Sequence, residues 1–184
     1  SDMTATLTKV RALKPDLLLV SGHSKGAATA ARQIKELKIK VPMIAMTHCE
    51  SAKVISKFGA STNGFLCPTQ WAETLSYSGK AFGTAAKYDA LFKKSFKGYK
   101  NVPYQAAQAS AAVLVWKDAF ERANSFDREK IRVALTKTDM KTFYGGIRFS
   151  KVGNNVAKPM VLRQIQNGKL NVVAPSKWAS HKVM

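Results

Sequence analysis

A chain of 184 residues with 46% hydrophobic content can build the core of one ordinary domain or two small lobes, which excludes a disordered tail. Its net charge is +19, from 30 Lys and Arg against 11 Asp and Glu, a field that attracts nucleic acid and anionic membranes. Yet no apolar run approaches the roughly 20 residues that span a bilayer, and no arginine-rich block, metal-finger spacing or aromatic-basic RNA signature is present. We therefore read the scattered lysines as solvated helix faces, with a basic nucleic-acid-binding α/β domain kept as the alternative.

Met3, Leu7, Val10 and Leu13 recur at helical spacing, and Lys14-Pro15-Asp16 ends that helix. Leu17 to Val20 is a short apolar run, as in a parallel strand buried on both faces. The next helix runs from about Ser24 to Leu37, with Ala27, Ala30, Ala31, Ile34 and Leu37 on one side. Val41 to Met46 reads as a second strand, Ser51 to Phe58 as a short helix closed by Gly59, and Gly64 to Pro68 as a third strand. This alternation predicts a parallel α/β sheet with right-handed crossovers.

The middle of the chain reads differently. "GKAFGTAAKYDALFKKSF" predicts a helix with a basic outer face, and Tyr104 to Ala123 a long helix, apolar or small over much of its circumference and so buried. A third helix opens at Asp127, a good N-cap with Glu129 in the first turn. These helices need a sheet, and "GGIRFS" supplies at most one short strand. "MVLRQIQNGKLNVVAP" is a hairpin around Asn167-Gly168, and "SKWASHKVM" a surface tail.

Three polar turns follow the three predicted strands: "SGHS", "THCE" and "PTQW". Ligands of open α/β sheets bind outside the carboxyl ends of the strands, so these turns make one candidate wall of a binding cleft, with Trp71 to stack on a ring. "SGHSKG" has neither phosphate-loop spacing. Gly22-x-Ser24-x-Gly26 does match the nucleophile elbow. Only His23, His48 and His181 exist to serve it; His181 sits in the tail and His48 comes too early for the usual chain order, so a hydrolase using Ser24 is the lesser alternative and no enzyme is expected. His23, His48 and Cys49 lack a fourth ligand and tight spacing, so neither metal nor cofactor is expected. Cys49 and Cys67 read first as two partly buried thiols, with a single bridge open to them in an oxidising compartment.

The succession of "DMTATLTKVRALKPDLLLVSG", "AARQIKELKIKVPMIA", "PTQW", Tyr104-x-Ala-Ala, "YGGIRFSKVGNN" and "IQNGKLNVVAP" resembles the type I periplasmic solute-binding proteins of ABC importers, the group of the leucine/isoleucine/valine-binding protein. The likeness covers essentially the whole chain. It implies two Rossmann-like lobes joined by three crossovers, with solute held between them. It assigns residues 1–68 and 160–184 to the second lobe. Residues 69–159 become the C-terminal, mainly helical part of the first lobe, without its N-terminal sheet. The resemblance thus implies a C-terminal fragment of an exported periplasmic protein, its signal peptide absent, that meets the membrane only through permease subunits. It also implies an uncovered apolar face on the Tyr104–Ala123 helix, to be met by the missing N-terminal half or by a second copy of the chain. Carried over residue by residue, His23 stands at a cleft tyrosine of the amino-acid binders, beside Ser24. Thr47 stands at a glutamate that engages the ligand's ammonium. Tyr104 matches a tyrosine at the cleft mouth, and Trp71 is a cleft neighbour. His23 and Thr47 depart from the pattern, so the resemblance points past a plain aliphatic amino acid to a carboxylate-bearing or aromatic solute.

Overall fold

A computed structural model describes residues 2–184, with Ala52, Lys53 and Ser56 in backbone only. It divides into two units, Ser1–Thr69 with Val161–Met184, and Gln70–Met160. The first unit begins with helix α1 (Thr4–Leu13), strand β1 (Leu17–Val20), helix α2 (Ser24–Glu36), strand β2 (Met43–Met46), helix α3 (Ala52–Phe58) and strand β3 (Leu66–Thr69). β1 pairs with β2, and β2 with β3, both in parallel. Ala27, Ala30 and Ala31 of α2 are almost wholly buried, and their small side chains let the helix lie close against Ile44 and Met46 of β2. Leu7, Val54, Phe58, Phe65 and Ile165 complete this core.

One expectation fails here. β1 is not buried on both faces: it is the sheet's edge, Leu19 is 70% exposed, and Leu17 and Met43 on β2 are also exposed. The continuous apolar run was the right signal for a strand. It did not reveal that, among the described residues, nothing covers one face of it.

The second unit opens with a small hairpin, β4 (Ser78–Gly79) and β5 (Gly83–Thr84). Helix α4 (Ala85–Ser95) follows, its N-cap Thr84 accepting from the Lys87 amide at 3.1 Å. Helix α5 (Tyr104–Ala123) comes next, then α6 (Arg128–Thr136), where the Asp127 carboxylate accepts from the Lys130 amide at 2.9 Å. A second hairpin, β6 (Asp139–Thr142) with β7 (Gly145–Arg148), closes the unit. Two hairpins thus stand where one short strand was expected. Only one stripe of α5 is buried (Ala107, Ala111, Val115 and Ala119, four residues apart), while Val113 and Trp116 are exposed. The core forms around Trp71, Tyr88, Phe143 and Ile147, with the Tyr88 and Phe143 rings stacked at 3.9 Å.

The chain then returns to the first unit through strands β8 (Val161–Gln166) and β9 (Lys169–Ala174). β8 lies antiparallel to β3, Thr69 opposite Val161, so the five-stranded sheet β1-β2-β3-β8-β9 is mixed. Asn167 and Gly168 both have positive φ, 52° and 74°, as a two-residue hairpin turn of this hand requires.

Candidate functional site

The carboxyl ends of β1 and β2 carry the first group of polar residues. His23 leaves β1 in extended conformation as the N-cap residue of α2, and Ser24 opens that helix; both are exposed. Thr47, just past β2, is a staple: its hydroxyl accepts from the Gly22 amide at 2.9 Å and donates to the Gly22 carbonyl at 2.7 Å. Both backbone groups of the turn are satisfied this way, and the hydroxyl is committed to the protein. His48 follows with φ 61°, a left-handed conformation that histidine tolerates better than most residues. Its ring lies 5.6 Å from that of His23, tilted by 39°.

Cys49 and Cys67 form a disulfide and both are fully buried. This corrects the reading of two free thiols, and it removes Cys49 from any metal set. Sequence separation carried no sign that a residue past β2 and one inside β3 are side by side; parallel pairing of the two strands puts them there. Among the described residues, no group of three or more His, Cys, Asp or Glu converges on a cation position. Glu50, in the turn after β2, has a buried carboxylate that the sequence pattern does not signal. Its Oε2 is buried and meets no hydrogen-bond donor among the described residues. Burial pushes its carboxyl above the ordinary glutamate range, against a downward pull from its own amide, His48 and Arg163.

The second unit holds a separate cluster. Trp71 does not belong to it as a stacking surface: the indole is 1% exposed, donates to the Phe143 carbonyl at 3.1 Å, and meets Tyr88 and Phe143 edge-on. The expectation that Trp71 contacts solute is corrected by that burial. Tyr104, the first residue of α5, is partly buried and lies in the electrostatic range of Tyr144. The Tyr144 phenol is pushed well above its ordinary value, first by burial and then by Tyr104 and Tyr77; burial also raises Tyr77. Against the Tyr144 ring lies Lys158. Its Nζ sits 4.0 Å from the Tyr144 ring centre and donates to the Gln70 carbonyl. Burial lowers its pKa to about 8. Gly145, at φ +117°, makes room for this packing, since a Cβ there would lie 2.6 Å from Lys158 Cδ and 3.2 Å from the Tyr77 ring.

A groove of about 600 Å³ also runs along this unit, lined by Ala112, Val115 and Trp116 of α5, Leu135 of α6, and Phe149 and Val152 past β7. Its walls are mainly apolar.

A family model described as periplasmic binding protein matches residues 1–169. The chain belongs to that family. The leucine-binding protein of Thermotoga maritima is 26% identical over 94% of this chain and 48% of its own, with a TM-score of 0.81. A Rhodopseudomonas palustris solute-binding protein solved with benzoate is 15% identical, covering 94% of this chain and 46% of its own at a TM-score of 0.73. The leucine-, isoleucine-, valine-, threonine- and alanine-binding protein of Brucella ovis is 16% identical, covering 90% and 41%, at 0.72. The α/β type I fold is therefore established for this periplasmic-binding-family chain, which spans about half the length of these solved structures. The family is a solute-binding, non-enzymatic class.

Proposed function

We propose that this periplasmic-binding-family chain is the solute-capturing component of an ABC importer: it takes a small molecule outside the cytoplasm and hands it to permease subunits, with no bond made or broken. The family match over residues 1–169 carries this reading. The solute we favour is amino-acid-like, or a small carboxylate or aromatic. His23 is exposed beside the N-terminus of α2, whose free amides and positive dipole end suit an oxygen-rich group. Thr47 has no charge to offer an ammonium, and its hydroxyl is already committed to Gly22. Isothermal calorimetry on the native gene product that carries these residues tests the choice. Binding of benzoate or phenylacetate is expected, and tight binding of leucine alone sinks the carboxylate or aromatic preference.

The uncovered apolar surface is part of the same reading. Leu17, Leu19 and Met43 on the sheet, and separately the groove at Trp116, call for an apolar partner. We assign that role to a further half of a family-length protein or to a second copy of this chain. Light scattering of the isolated 184-residue chain should show self-association, and a monodisperse monomer at tens of micromolar would count against it.

A further inference from the structure

The Lys158 ammonium is the oddest charge in the second unit. It is partly buried between aromatic rings, its one hydrogen bond goes to the Gln70 carbonyl, and no carboxylate among the described residues lies within ion-pair reach of it. Burial alone moves its pKa, with no anion contributing an opposing pull. An ammonium has three donors. One is used on Gln70 and the Tyr144 ring face takes another direction, which leaves a donor with no acceptor among the described residues. A charge withdrawn from water without a counter-ion is costly, and a fold that keeps one either gains from it elsewhere or completes it with something bound. The surroundings are aromatic: Tyr77, Tyr104 and Tyr144 come from three different segments, with Tyr77 and Tyr104 in electrostatic range of Tyr144, and Gly145 leaves room for the Lys158 stem beside the Tyr77 ring.

We propose that Lys158 is the seat for the anionic group of the solute, with Tyr77, Tyr104 and Tyr144 as the walls for its flat or apolar body. This rests on the solute-binding reading above and narrows it to an aromatic carboxylate. It also assigns a role to a residue for which neither motif nor spacing gave a signal. Lysine is the most common cation in this chain, and only its burial among tyrosines sets Lys158 apart.

The test compares benzoate with benzamide, its neutral isostere, and with leucine, by calorimetry on the native gene product. Benzoate should bind better than benzamide, and Lys158→Met should weaken benzoate by about tenfold to a hundredfold, the range for one charge-assisted hydrogen bond, while sparing benzamide. A second measurement needs no mutation. Benzoate stays anionic from pH 7 to about 9.5 while Lys158 loses its proton near 8, so wild-type affinity for benzoate should fall across that interval and affinity for benzamide should not. The titratable groups placed beside Lys158 are Tyr144, under its ammonium, and Tyr77, near its stem; burial raises both, so both are neutral in this interval. Equal binding of benzoate and benzamide, or a flat pH profile for benzoate, overturns the assignment. Leucine binding with neither aromatic probe overturns it too but leaves the solute-binding reading standing. If none of the three binds, both fall.

Discussion

Breaking the Cys49–Cys67 bridge should cost the first unit more than any single polar contact described above. The bridge spans a sequence separation of 18. The loop-closure relation then gives about 3 kcal/mol at 25 °C, because the cross-link removes open conformations from the unfolded chain. With a urea slope of about 1.5 kcal/mol/M for a unit of this size, the midpoint should drop by about 2 M. The assay is urea unfolding of the chain in oxidising buffer and after reduction in denaturant, followed by circular dichroism and by protection of the β2 and β3 amides from hydrogen exchange. The second probe separates the first unit from its neighbour, whose unfolding need not coincide. Identical midpoints, with unchanged exchange at Ala45 and Leu66, would refute the entropic account.

Other outcomes follow from single residues. Asp127→Ala removes the acceptor for the Lys130 amide and should lower the stability of the second unit by about 1 kcal/mol in thermal unfolding, with Asp127→Ser restoring most of it. Gly145→Ala forces a Cβ into Lys158 and Tyr77 at positive φ and should destabilise by about 1–3 kcal/mol, whereas Gly153→Ala meets open space and pays only the φ strain. Glu50 has a folded pKa raised above its unfolded value of 4.5. Its contribution is therefore fully present below that value and lost as pH rises through the folded one. Glu50→Gln should raise the melting temperature at pH 7 and leave it unchanged near pH 4; a destabilised variant at pH 7 would mean that the carboxylate is held by a donor.

Much of this fold is legible in the chain. Apolar runs flanked by Pro, Gly and polar turns place β1, β2 and β3 within a few residues, and Asn167-Gly168 places the β8–β9 turn, because both signals are local. The burial of α5 was overread, since small residues such as Ser110 and Ala112 look alike on a covered and an uncovered helix face. β6 was missed because "DMKT" is polar and its pairing with β7 is carried by the backbone. Within the site, strand ends pointed to His23 and Ser24. Trp71 looked like a free ring because its turn is polar, but its indole has a long-range acceptor in Phe143 that no local pattern discloses. Glu50 and Lys158 were invisible for the converse reason: their interest lies in burial, and a charged residue's burial is a tertiary property.

The pairing of Thr69 with Val161 has a consequence for biosynthesis. The last residue of β3 and the first of β8 are neighbours in one sheet, so to the first unit the whole of Gln70–Met160 is a single loop with adjoining ends. On a ribosome, β1, β2 and β3 emerge before β8, the strand that pairs with the free edge of β3. The inserted unit then emerges with its helices and hairpins contiguous in sequence, and is free to fold while its host still waits. Closing so long a loop adds only a logarithmic entropy, so the wait is a matter of order more than of stability. β8 and β9, made after the inserted unit, extend the three parallel strands into the mixed five-stranded sheet.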